Sequence, residues 1–224
     1  MSIRDWPADE RPREKLLTRG AAALTDAELL AVLLRSGTAR RSALDNARDI
    51  LQSFGSLRRL IASDRQRFCA QPGLGLVRFA ELQAALEIAR RQYAEDLRAG
   101  PVLTAPRATR DFLFSHIRDL EHEVFCCLFL DNRHRLLQFA ELFRGTIDGA
   151  SVHPREIVKQ ALRHNSSAVI VAHNHPSGIA EPSQADELIT RKIKDALALV
   201  DIRLLDHIVV GDGVAVSLAE RGLM

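Results

Sequence analysis

The residues best suited to chemistry lie between Ala168 and Asp186, in the stretch AVIVAHNHPSGIAEPSQAD. His173 and His175 are two apart, and alternation along an extended chain puts both imidazoles on one side. The run from Ala168 to Ala172 is short, apolar and β-branched, which predicts a buried strand ending in His-Asn-His. Pro176-Ser177-Gly178 turns the chain, and a helix is predicted from near Ser183. Asp186 then lies one turn into that helix, where the chain can fold back toward the strand end. Two imidazoles and a carboxylate converging on one point form a three-ligand set for Zn²⁺, one ion per chain. The fourth position is left to water, which distinguishes catalytic from closed structural zinc. The same residues also have a plainer use. Histidines at a strand end serve as satisfied polar groups, and Ser183-x-x-Asp186 is a helix N-cap with a carboxylate at the helix start. The two uses can coexist in one structure.

A zinc hydrolase also needs a base that takes a proton from water and returns it to the leaving amine. Three glutamates are candidates: Glu123 at the start of a strand-like run, Glu141 at the far end of a hairpin, and Glu156 in a helix first turn. In that last position a carboxylate is welcome for its interaction with the helix dipole alone. Asp206 and His207, in LLDHIVV, read as residues behind the ligands or at the rim of the core.

Stepping outward, residues 1–20 are polar and punctuated by Pro7 and Pro12, an extended arm with one short helix. Thr25-Asp26-Ala27-Glu28 is a capping box ahead of AELLAVLL, with Gly37 suited to the helix end. Ser42 caps a second helix ending at Gly55, a short helix follows Ser56, and Ser63-x-x-Gln66 reads as another capping box. Pro72-Gly73-Leu74-Gly75 then precedes a long helix with Phe79, Leu82, Leu86, Ala89, Tyr93 and Leu97 at spacings of three and four. Ala99-Gly100-Pro101 breaks it and marks a linker. The first unit is thus residues 1–98, all helical, and the second 102–224. In the second, Pro106 to Leu120 predicts a helix, and Glu123 to Asp131 a strand buried on both faces. Leu136 to Phe143 returns as its hairpin partner, and a helix starts at Pro154. After the histidine strand comes a helix whose inner face would carry Ala185, Leu188, Ile189, Ala196, Leu197 and Val200. Ile202 to Val210 and Val214 to Leu218 close a hairpin around Gly211-Asp212-Gly213. The pattern is that of an α/β domain with a mixed sheet flanked by helices.

His-x-His, seven residues, Ser, two residues, Asp, between strand and helix, resembles the JAMM (MPN-type) metallo-isopeptidase motif. HNHPSG followed by EPSQAD resembles its RadC-family (UPF0758) form. That resemblance extends over DERPREKLL, LTDAELLAVLL, FGSLR, LFRGTIDGASVHPREIVKQAL and LDHIVVGDG. It implies a C-terminal domain of MPN/JAB-like, cytidine-deaminase-like fold behind a small all-α N-terminal domain. It implies a hydrolase in which His173, His175 and Asp186 hold zinc and Ser183 donates to the developing oxyanion. It also favours Glu123 as the proton shuttle, because the family's glutamate begins the first strand after a helix. Helix, Gly-apolar-Gly, helix over about 55–98 resembles the helix-hairpin-helix DNA-binding motif. There Gly73 and Gly75 let backbone approach a phosphate and Arg78 is the nearest cation. The alternative is a tight turn between two helices. This chain departs from the usual small and basic residues after the second glycine, having Leu76-Val77-Arg78-Phe79.

Composition bounds these expectations. The 224 residues are 46% apolar and 27% charged, ordinary for a globular chain. No apolar run approaches ~18 residues and the N-terminus lacks a signal-peptide core, so a cytoplasmic protein away from membranes is expected. Cys69, Cys126 and Cys127 read as free thiols in a reducing compartment. The net charge of +2 is uneven: residues 1–98 hold 17 Lys+Arg against 13 Asp+Glu, a net +4. That bias permits phosphate contacts without demanding them. The leading expectation is a zinc metallopeptidase or isopeptidase with a peptide or protein substrate. The alternative is a DNA-associated accessory protein, linked to repair, whose metal site is structural or inactive. A metal-dependent nuclease fits less well, since one carboxylate ligand is a poor match to two-metal phosphodiester chemistry.

Overall fold

The computed structural model describes residues 6–35, 41–102, 106–145 and 152–224. The chain divides into two compact units, Met1–Glu87 and Ile88–Met224. The division falls within the long helix that Gly100 and Pro101 end.

The first unit is helical because its apolar residues recur at helical spacing between side chains that cap. Its elements are α1 (Pro12–Arg19), α2 (Asp26–Leu34), α3 (Ala43–Phe54), α4 (Leu57–Ala62), α5 (Arg65–Ala70) and the start of α6 (Leu76–Ala99). Thr25 and Ser42 each form a full capping box, and Gly55 ends α3 in the left-handed conformation. The cap of α5 is Asp64 rather than the expected Ser63: its carboxylate accepts from Arg67 N at 2.8 Å, while the Ser63 hydroxyl turns back to Leu60 O. Gly37 lies outside the described residues. Leu30, Leu34, Leu44, Ile50, Phe54 and Phe68 form the buried centre.

In the second unit α7 (Pro106–Ile117) precedes β1 (Val124–Leu130), and β2 (Leu136–Arg144) returns beside it. Then follow α8 (Pro154–Arg163), β3 (Ala168–Asn174), α9 (Gln184–Ala198), β4 (Arg203–Val210) and β5 (Ala215–Ser217). Among the described residues the five strands form one sheet in the order β2-β1-β3-β4-β5. All neighbours are antiparallel except β3 and β4, which run parallel because α9 carries the chain across between them. The expected mixed α/β architecture is therefore what the chain adopts.

Both faces of the sheet are covered, as the continuous apolar runs of β1 and β3 require. Val124, Cys126, Leu128, Ile170 and Ala172 meet Phe112, Leu113 and Ile117 of α7. Phe125, Cys127, Phe129, Val169 and Val171 meet Ile157 and Ala161 of α8 and Ile193 and Leu197 of α9. The adjacent thiols Cys126 and Cys127 thus face opposite layers, each buried and outside any disulfide, and burial pushes both upward in pKa. The inner face of α9 carries Leu197, Ile189 and Val200 as expected, but Ala185 and Leu188 are exposed, and Thr190 and Ile193 are buried in their stead. The same helix sets Asp186 against His173 of β3 and Thr190 against His207 of β4.

Candidate metal centre

β3 is buried along its full length and delivers His173, 1% exposed, to the layer beneath α9. Its ring stacks on Phe125, the residue opposite it on β1, with centroids 6.1 Å apart and planes 7° from parallel. His175 follows just past the strand, where its N–H bonds to Val210 O at 2.8 Å. Its Nδ1 lies 2.7 Å from the carbonyl of Ile179. A carbonyl only accepts, so His175 carries its proton on Nδ1 and presents the Nε2 lone pair inward.

The two Nε2 atoms are 2.9 Å apart, and Asp186 Oδ1 lies 3.2 Å from that of His173. Asp186 Oδ2 is 3.8 Å from His175 Nε2. One ligand atom from each of the three residues lies within 4.8 Å of the others. An ion bound at zinc distances holds tetrahedral ligand atoms roughly 3.2–3.5 Å apart. The donor set and its spacing fit such an ion.

Asp186 divides its oxygens between two tasks. Oδ2 accepts from Ser183 N and Ser183 Oγ, both at 2.7 Å, completing a capping box at the start of α9. Oδ1 is turned to His173. The helix cap thus occupies one oxygen and leaves the other to face His173. Ser183 Oγ in turn accepts from Asp186 N at 3.2 Å, so its hydroxyl is engaged with Asp186 on both sides.

The loop from His175 to Ser183 is braced from outside. Asp212 N donates to Gly178 O at 2.7 Å. Gly211 packs so closely that an added Cβ would lie 2.5 Å from Gly178 O and 2.7 Å from Ala180 N. The turn between β4 and β5 thus holds the loop that follows His175 in place.

Of the three glutamates, Glu123 immediately precedes β1 and is close enough to His175 and Asp186 to feel the charge of each. Its carboxyl is raised above the ordinary range, chiefly by burial; the Asp186 charge adds to the rise and His175 opposes it. Glu141 sits opposite Cys126, hence on the other face of the sheet, and pairs with Arg144 at 3.1 Å. Glu156 lies in the first turn of α8 beside Arg155 and Lys159.

Behind the ligands are residues that apolar periodicity does not single out. Asn174, wholly buried between the two histidines, accepts from Val124 N at 2.8 Å and donates to Leu120 O and His122 O. His207 is also wholly buried, with Nε2 2.8 Å from His173 Nδ1 and Nδ1 2.6 Å from Thr190 Oγ1. Burial holds His173 down to about 4 in pKa, with His175 adding to the depression and Asp186 opposing it, and holds His207 well below the ordinary histidine value.

In the first unit Gly73 has φ of +87°, and neither Gly73 nor Gly75 has any atom within 4 Å of where a Cβ would stand. Arg78 is engaged within the unit, donating to Leu34 O at 2.8 Å and to Glu81 at 2.6 Å. Among the described residues no helix is long and apolar enough to cross a membrane.

Two family models match the chain. A RadC-like JAB domain covers residues 103–223, and a UPF0758 N-terminal domain covers residues 3–80. Relatives named UPF0758 protein align over the whole of both chains. That of Nitrosococcus oceani is 62% identical over 224 residues, that of Thioalkalivibrio sulfidiphilus 63%, and that of Halorhodospira halophila 60%.

Proposed function

The chain belongs to the UPF0758 family and carries its RadC-like JAB domain, and on that premise we propose that it is a zinc-dependent peptidase or isopeptidase. JAB-type domains form a metal-dependent hydrolase superfamily. The observation that supports the reading is the approach of His173 Nε2, His175 Nε2 and Asp186 Oδ1 at one end of the sheet, with Glu123 near enough to interact with His175 and Asp186.

His173, His175 and Asp186 would hold the ion. When bound, zinc supplies Lewis acidity, making water acidic near pH 7 and polarising a carbonyl. Glu123, whose carboxylate partial burial makes more basic than an ordinary one, would accept the proton of the attacking water and pass it to the leaving nitrogen. The Ser183 hydroxyl would turn from Asp186 to donate to the oxyanion that develops on the carbonyl oxygen. Ile179 and Leu188, 67% and 53% exposed, flank the ligands in sequence and offer apolar contact to an unfolded segment of a protein substrate.

The test has two parts. Purified protein should carry one zinc per chain by elemental analysis, and His175→Ala should carry none while keeping its helical content. A library of internally quenched peptides should be cut by the zinc-loaded protein and not by Glu123→Gln, which keeps its zinc. Zinc-loaded protein that cuts no peptide or isopeptide bond removes the hydrolase reading.

A second reading concerns the first unit and is compatible with the first. The open space beside Gly73 and Gly75 leaves backbone accessible to a phosphate, which supports sequence-independent DNA contact. Anisotropy of a labelled duplex should fall with salt and with Gly73→Ala, Gly75→Ala together; equal binding by that variant removes this reading.

A further inference from the structure

A chain of hydrogen bonds leads from the backbone of Asp186 through Thr190 and His207 to His173, whose Nε2 faces the Asp186 side chain. Thr190 Oγ1 is 2.5 Å from Asp186 O, four residues earlier on α9. The carbonyl can only accept, so the single hydroxyl proton of Thr190 is committed there. Oγ1 therefore meets His207 Nδ1, 2.6 Å away, as an acceptor, and Nδ1 carries the ring proton. His207 Nε2 is then a lone pair, and His173 Nδ1, 2.8 Å from it, must donate. A neutral imidazole has one N–H, so His173 is left with a bare Nε2. That atom is the one facing His175 Nε2 and Asp186 Oδ1.

From this chain of donors and acceptors we propose that Thr190 and His207 are positioning residues that lock His173 into the tautomer able to bind a cation. The inference rests on the metal-site reading above but not on any reaction at that site. Without the Thr190 hydroxyl, His207 has no acceptor for an Nδ1 proton and gains by moving it to Nε2. The proton then points at His173 Nδ1 and turns that atom into an acceptor. His173 in turn carries its proton on Nε2, where the ion would sit. A hydroxyl that touches neither ion nor substrate thus decides whether a ligand lone pair exists. Partners behind metal-binding histidines typically change metal affinity ~10–100-fold.

Thr190→Val keeps the shape of the side chain and removes only the hydroxyl; Thr190→Ser restores it. Nitrogen and carbon NMR of the imidazoles in the metal-free, full-length protein reads the tautomer directly, with His173→Gln assigning the signal. Zinc affinity is read by competition with a chromophoric chelator. The expected result is an Nδ1–H His173 in the wild type and in Thr190→Ser. In Thr190→Val it shifts toward Nε2–H, and zinc affinity falls ~10–100-fold. An Nε2–H His173 in the wild type overturns the proposal, as does a folded Thr190→Val that binds zinc like the wild type. If the wild type binds no zinc yet shows the tautomer and its dependence on Thr190, the relay stands and the hydrolase reading falls.

Discussion

Asn174 Oδ1 accepts the Val124 N–H at 2.8 Å, so the residue between the two histidines holds the backbone next to Glu123. Its amide nitrogen takes Leu120 O and His122 O, which fixes the segment on the other side. Glu123, the proposed base, and the proposed ligands are thereby joined through one buried side chain. Asn174→Ala leaves one buried N–H and two carbonyls without that partner, at ~1–3 kcal/mol for each group that water cannot reach. We expect urea unfolding to show a loss of this order. We also expect hydrolysis to fall more than tenfold while zinc content is unchanged. Undiminished turnover would mean that Glu123 does not depend on this clamp.

Gly211 and Gly213 occupy the same turn for different reasons. A Cβ on Gly211 meets the backbone of Gly178 and Ala180, whereas at Gly213 there is open space and only a φ of +75° to satisfy. Gly211→Ala must displace the loop that carries His175, so zinc affinity by chelator competition should drop at least ~10-fold, with ~1–3 kcal/mol of stability. Gly213→Ala should cost only ~1 kcal/mol or so of backbone strain and leave zinc affinity as it was. Equal effects of the two on zinc would refute the bracing role.

Burial raises the Asp206 carboxyl above its ordinary value of 3.8, outweighing the hydrogen bonds from Ser217, Ala219 and His207, and Glu220 adds to the rise. The folded form therefore keeps its proton to a higher pH than the unfolded chain does. The stability this contributes is fully present below the ordinary value and lost as pH rises through the folded one. Asp206→Asn, neutral throughout and still able to accept from His207 N and Ala219 N, should melt higher than the wild type at pH 7. Its advantage should vanish near pH 3.8. A constant difference across that range would show that ionisation is not the cause.

Zinc that binds only the folded chain adds stability by mass action, ~2.7 kcal/mol at a free concentration a hundred times its dissociation constant. Chelation should then lower the melting temperature by roughly 5–10 °C. His175→Ala should show no response to the chelator. A wild type indifferent to chelation would argue against any structural linkage between ion and fold.

Much of this arrangement can be read from local pattern. The apolar run before His173 gives a strand, Ser183-x-x-Asp186 gives a cap, and the two together point at one spot. Thr190 escapes such a reading because a search for apolar periodicity passes over a threonine, even though it lies four residues after Asp186 on the same side of α9. His207 can be placed near a strand end but not in contact with His173, since that contact depends on parallel pairing across a helical crossover. Asn174 is equally silent: its partners are about fifty residues away and exist only once β1 lies beside β3. The Ser63 and Asp64 discrepancy is of another kind, two adjacent capping residues of which the stronger acceptor took the helix. Arg78, the nearest cation to the hairpin glycines, is drawn to the carbonyl end of α2, a choice made by tertiary packing.

The divided carboxylate of Asp186 also ties the candidate ligand set to the start of a helix. One oxygen is held by the Ser183 backbone and hydroxyl, so a change that unwinds the first turn of α9 also displaces the oxygen that faces His173.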